Sequence, residues 1–199
     1  MPDLTLAQLQ HAYDAALEQI AAESFLEKGM PNDVTITRLQ AGNNPVGVVF
    51  NDPDLPGKLR MTLGQAQDFV ARYQIIDAYQ NDATGFSAVA LRDRATPNRV
   101  VLAVRSTEIN NDRARDVGAD TQIFTSGFAF DQILSAQDFL NRVRPQLLPG
   151  DKIDLVGYSL SGNVVRAMAA MYPDLINQGP GSNVVFNATG LGGFSDPTG

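Results

Sequence analysis

An α/β architecture with a mainly parallel sheet is the fold class this sequence predicts, and three observations predict it. Short β-rich runs alternate with amphipathic helical segments along most of the chain. Two of those runs, residues 99–105 and 152–156, are nearly continuous in apolar residues, as in strands buried on both faces. The second run leads through a Gly-Ser turn at residues 157–162 directly into a strong helical pattern.

The elements follow in order. Residues 5–28 read as one amphipathic helix, with Leu6, Leu9, Tyr13, Ala16, Leu17 and Ile20 forming a single apolar stripe and Gly29 and Pro31 ending it. Residues 30–60 are rich in Gly, Asn, Asp and Pro and read as a loop-rich connector, with room for one short strand at residues 48–50. Thr62 and Gln65 form a capping-box pattern ahead of a helical face made by Leu63, Ala66, Phe69, Val70 and Tyr73. Residues 74–79 and 86–91 read as strands joined by the turn at 81–85, and the polar stretch 92–98 precedes the strand at 99–105. Residues 109–125 are polar and irregular; residues 127–143 have helical periodicity that Pro145 closes. The strand at 152–156, the helix at 160–172 stopped by Pro173, and a strand at 183–187 complete the pattern.

Composition narrows the function. The 199 residues carry 15 Lys and Arg against 22 Asp and Glu, a formal net charge of −7. An acidic chain without a basic cluster predicts no nucleic-acid partner and no attraction to anionic membranes. There is no cysteine, which excludes disulfide scaffolds, thiolate metal sites and cysteine nucleophiles. No apolar run is long enough for a membrane span, and the first residues lack the basic and apolar regions of a signal peptide. His11 is the single histidine, so a mechanism with a histidine base must use it or draw on one outside these residues.

The stretch carrying most chemical information is Asp154-Leu155-Val156-Gly157-Tyr158-Ser159-Leu160-Ser161-Gly162-Asn163. It has the strand–serine–helix form of a nucleophile elbow, whose pattern is G-x-S-x-G. Small residues on either side of the serine let strand and helix pass closely, and the following N–H and the helix N-terminus face a developing oxyanion. Ser161 stands where the strict pattern has its last glycine. The plain structural alternative is a strand-to-helix turn in which Ser159 only caps the helix.

The nucleophile region Gly157-Tyr158-Ser159-Leu160-Ser161-Gly162 resembles the GHSLGG turn of the class 3 lipase family, and Arg105-Ser106-Thr107-Glu108 resembles that family's strand followed by R-G-T. Arg105 to Glu108 also reads, more simply, as a polar strand end. Thr84-Gly85-Phe86-Ser87-Ala88 and the segment from Val184 to Gly190 occur in the order such a domain would have. The set, over residues 61–195, is similar to the lipase-like domain of large secreted bacterial proteins of the calcium-repeat (RTX) kind. The resemblance implies an α/β-hydrolase-like core from residue 61, preceded by an N-terminal helix and connector over 1–60. It implies Ser159 as nucleophile, and an oxyanion hole from the N–H groups of Leu160 and Thr107. It implies an ester or lipid substrate and an extracellular location, with no cofactor and no metal. Ser106, Tyr158 and Ser161 depart from the family's glycine, histidine and glycine, the first and last bearing on the geometry of the site.

A serine needs a base, and in this fold the acid and histidine follow the nucleophile. Only Asp174 and Asp196 follow Ser159 as acids, and no histidine does. Asp174 reads as a surface carboxylate at a helix end and Asp196 as a turn residue before Pro197. His11, on the helix face opposite the apolar stripe, reads as facing solvent. The expectation is a C-terminally truncated domain, nearly inactive by itself, with acid and histidine beyond residue 199.

Other site readings fail. Gly157 and Gly162 have phosphate-loop spacing, but Asn163-Val164 stands where Lys-Ser/Thr is required. Gly190, Gly192 and Gly193 lack the helix and acidic partner of a dinucleotide site. Asp112, Asp116 and Asp120 do not match a calcium loop. Two functions stand: a lipase-type ester hydrolase working through an acyl-serine, or a catalytically inactive hydrolase-like module of a large secreted protein.

Overall fold

The computed structural model describes residues 5–43, 60–80, 82–105 and 130–187. They form one five-stranded sheet in the order β1-β2-β3-β4-β5. The strands are β1 (Tyr73–Tyr79), β2 (Ala88–Asp93), β3 (Arg99–Val104), β4 (Lys152–Tyr158) and β5 (Asn183–Phe186). The helices are α1 (Leu6–Glu23), α2 (Asn32–Ala41), α3 (Leu63–Arg72), α4 (Phe130–Val143) and α5 (Ser161–Met171).

The sheet is mixed. The pairings β3–β4 and β4–β5 are parallel, the second crossing through α5; β1–β2 and β2–β3 are antiparallel because only short turns join them. The expected parallel arrangement therefore belongs to β3, β4 and β5. Alternation on the central strands splits the core in two. Val100, Leu102 and Val104 face α4 and α5 with Phe139, Leu140, Val164 and Met168. Val101 and Ala103 face the other way, toward Ala15, Ala22, Leu39 and Phe69. Residues 100–104 of β3 are all buried, as a strand covered on both faces requires.

The capping box is present at Thr62, whose hydroxyl accepts from the Gln65 N–H while the Gln65 side chain accepts from the Thr62 N–H at 2.9 Å. Thr5 and Gln8 repeat it at the start of α1.

Two expectations need correction. Residues 32–41, read as connector, form α2, which Leu39 anchors in the core. The residues at 48–50 lie outside the described ones. In α1 the apolar stripe is not the most buried face: Leu6 is 83% exposed, Leu9 51% and Tyr13 46%, while Leu17 and Ile20 pack half-buried against the core. The buried face carries Ala15, Glu18, Gln19, Ala22 and Glu23. Alanines let the helix lie close to the sheet, and the polar side chains on the same face find fixed partners there: Arg99, Tyr73 and the Val104 carbonyl. Partnered burial of this kind overrides a hydrophobic stripe.

Candidate functional site

β4 carries the chain from its buried middle to Tyr158, and α5 begins three residues later. Between them Ser159 has φ +55°, the left-handed region that a β-carbon disfavours. One tertiary and one local hydrogen bond hold it there. The Ser159 N–H donates to the Phe186 carbonyl of β5 at 2.9 Å, and the Gly162 N–H donates to the Ser159 carbonyl at 3.1 Å.

Gly157 is required by contact. A β-carbon at this position would lie 2.8 Å from Val165 Cγ2 and 3.0 Å from Ser161 Oγ. The close pass of strand and helix expected of an elbow is therefore present. Leu160, which precedes α5, is already in helical conformation, and no side-chain hydrogen bond caps the start of the helix. The Leu160 N–H belongs to the first turn, where amide groups lack an intrahelical acceptor, and its side chain is buried.

Ser161, the departure from glycine, fits the turn. It is 1% exposed. Its hydroxyl accepts the Tyr158 N–H at 2.8 Å and faces the carbonyls of Val104 at 3.1 Å and Tyr158 at 2.9 Å.

Thr107 and the rest of the segment that follows Arg105 lie outside the described residues, as do Asp112, Asp116, Asp120, Asp196 and the glycines at 190, 192 and 193. Arg105 itself is described. It is buried, with its guanidinium 3.9 Å over the Phe25 ring and its Nε 3.5 Å from Glu23 Oε2.

His11 is placed, and the expectation about it is corrected in one respect. It does lie opposite the apolar stripe, but that is the face turned toward the protein, and its Nε2 is hydrogen-bonded to the Gly181 carbonyl. Gly181 precedes β5, whose last residue Phe186 is paired with Tyr158 beside Ser159. The length of β5, at about 3.3 Å per residue, separates the imidazole from the serine. Asp174 is exposed, as expected, and its carbonyl takes a hydrogen bond from Lys152 Nζ at the start of β4, also the far end of the sheet. Neither residue reaches the elbow.

No family model and no curated protein matches the sequence. Solved structures of fungal lipases do resemble it in shape. They include the lipase of Rhizopus microsporus var. chinensis (15% identity, TM-score 0.45, 92% of this chain and 58% of that one). The triacylglycerol lipase of Penicillium expansum has 14% identity and a TM-score of 0.42, over 87% of this chain and 58% of that one. The Rhizomucor miehei triacylglyceride lipase has 12% identity and a TM-score of 0.46, over 92% and 62%. The chain thus spans about three fifths of the length of these lipases. Among the described residues no helix is long and apolar enough to cross a membrane, and no group of three or more His, Asp or Glu could hold a metal.

The opposite end of the sheet holds a site the sequence did not disclose. Arg99, the first residue of β3, donates to Glu18 at 2.6 Å, to Asp154 at 2.7 Å and to Asp93 at 3.2 Å. Arg72 joins Asp93 and Asp14, each at 2.8 Å. Burial works against the Asp93 carboxylate, but hydrogen bonds from Arg72 and the Ala95 N–H outweigh it and hold its pKa down at about 2. Glu18 goes the other way: burial raises it despite Arg99 and the Tyr73 hydroxyl. An open cleft of about 480 Å³ beside this network is lined by His11, Asp14, Arg72, Arg99, Lys152 and Asp154 among others. The partners lie 55 to 81 residues apart for Arg99 with Asp154 and Glu18, so no local pattern announces them.

Proposed function

We propose that this chain carries the nucleophile part of a serine-dependent carboxylic-ester hydrolase of lipase type. The observation that carries this reading is Ser159 at φ +55° between a buried strand and a helix start, with Gly157 allowing the close pass. Strain of this kind persists only where surrounding structure over-determines it, and it concentrates at functional sites.

In the proposed reaction Ser159 Oγ bonds to the ester carbonyl carbon while a base takes its proton. The oxyanion is met by the Leu160 N–H and, as the family resemblance implies, by Thr107. The C–O bond to the alcohol breaks, and the proton goes to the departing oxygen. Water then cleaves the acyl-serine by the same steps in reverse. His11 is at the far end of the sheet, so in this reading the imidazole, and with it the acid that the fold places before it, is supplied from outside these 199 residues. The substrate is a lipid or other carboxylic ester, and the protein acts outside the cell, in a large secreted protein of the RTX kind.

The test is ester hydrolysis by the full-length protein. Ser159→Ala lowers the rate by about 10⁶-fold, the cost of removing a triad serine. Activity untouched by that substitution would discard the reading. The second reading, a catalytically inactive hydrolase-like module, is favoured by the position of the single histidine. It predicts that a fluorophosphonate leaves Ser159 of the full-length protein unlabelled.

A further inference from the structure

One backbone carbonyl at the end of β3 gathers side chains from two different helices. The Val104 carbonyl takes the Gln19 amide of α1 and lies within hydrogen-bond distance of the Ser161 hydroxyl of α5, each at 3.1 Å. Val104 is also the β3 residue in register with Gly157. Both side chains are buried, Gln19 at 3% exposure and Ser161 at 1%, so water does not substitute cheaply for either partner.

Each side chain is held in turn. The remaining Gln19 amide proton goes to Glu23 Oε1 at 2.9 Å, and Glu23 faces Arg105, the residue that continues the chain out of β3. The Ser161 oxygen accepts the Tyr158 N–H, the amide immediately before Ser159. A continuous set of contacts therefore runs from the C-terminal turns of α1, through the exit of β3, to the strained serine. The first link needs an amide at 19 and the last a hydroxyl at 161. Glycine at 161 would remove the hydroxyl and leave the Tyr158 N–H and the Val104 carbonyl without it.

We infer that Ser161 and Gln19 are positioning residues: through the Val104 carbonyl they fix the exit of β3 against the elbow and hold Ser159 in its left-handed conformation. The inference rests on the proposed role of Ser159 for its catalytic consequence, but not for the coupling itself. Ser161 supplies an anchor at a position where a glycine supplies only room, and α1, the element earliest in the chain, becomes part of the support of the elbow.

Two measurements on the full-length protein test this. In Ser161→Ala and in Ser161→Gly, amide hydrogen exchange at Tyr158 rises about tenfold, the size of one lost hydrogen bond, while Leu155 and Val156 in the middle of β4 keep their protection. Gln19→Ala raises exchange at the same amide by a smaller factor, and the double substitution Gln19→Ala/Ser161→Ala gives less than the product of the two, as coupled partners do. Fluorophosphonate acylation of Ser159 in Ser161→Ala slows about tenfold in its maximal rate, with the half-saturating probe concentration unchanged.

Unchanged Tyr158 exchange in both Ser161 variants overturns the inference, and so does a strictly multiplicative double variant. Faster exchange with an unaltered acylation rate also overturns it, since the anchor would then support the turn without positioning the serine. A wild-type protein that the probe does not label counts against the hydrolase reading alone. The exchange pattern then decides the coupling by itself.

Discussion

The two ends of β3 are built from opposite materials. At its start Arg99 is held by three carboxylates, those of Glu18 and Asp93 fully covered and that of Asp154 nearly so. At its finish the Val104 carbonyl is met by two neutral side chains, Gln19 and Ser161. The helix α1 spans both, with Glu18 at one end and Gln19 and Glu23 at the other. The difference separates stability from geometry. Charges in a buried network are costly to leave unpaired, so they lock the layers together. Neutral hydrogen bonds carry less energy but fix direction, which a strained turn next to a reactive hydroxyl requires.

Substitutions at the two ends separate these roles. The largest loss of stability is expected at the charged end. Arg99→Ala removes the cationic partner of Glu18 and Asp154, while Asp93 keeps Arg72, and costs about 3–5 kcal/mol, measured by denaturant unfolding. A loss below about 1 kcal/mol would show that the network is surface-like after all. At the neutral end, Gly157→Ala drives a β-carbon to 2.8 Å from Val165 and 3.1 Å from the Ser161 carbonyl. It costs about 1–3 kcal/mol as overpacking. Its effect on Tyr158 amide exchange exceeds its effect at Leu155, whereas Arg99→Ala acts on β3 and β4 without that preference.

Acid sharpens the contrast further. The Asp93 pKa is lowered from 3.8 to about 2, so the stability it contributes is present above about pH 4 and is lost as pH falls toward 2. Glu18 has the opposite sign: its raised pKa means a contribution that is complete at low pH and lost as pH rises through its folded value. Lowering the pH from 5 to 2 therefore narrows the melting-temperature difference between the wild type and Asp93→Asn. The smallest expected effect belongs to the elbow, where that same substitution leaves Tyr158 exchange at neutral pH unchanged.

Periodicity and local turn chemistry determine a good deal by themselves. The strand pattern, the capping box at Thr62 and the small-residue turn around Ser159 are local, and a chain with those residues carries the signal wherever it folds. The strand at 99–105 and the helix at 160–172 were legible for this reason, and each lies within a residue of its observed bounds. The candidate nucleophile was legible too, because strand, serine and helix are consecutive.

What the tertiary structure decided involves partners far apart in the chain. The apolar stripe of α1 reaches the core only through Leu17 and Ile20, since the deepest burial went to Glu18, Gln19 and Glu23, whose partners are supplied by β1, β3 and Arg105. The position of His11 followed from that burial. The use of Ser161 as an anchor was equally hidden: the sequence marked it as a flaw in a glycine pattern, and its link to the exit of β3 is to the Val104 carbonyl, 57 residues earlier. Local sequence sets which conformations a segment favours. Which polar groups can be buried depends on what the rest of the chain brings to meet them.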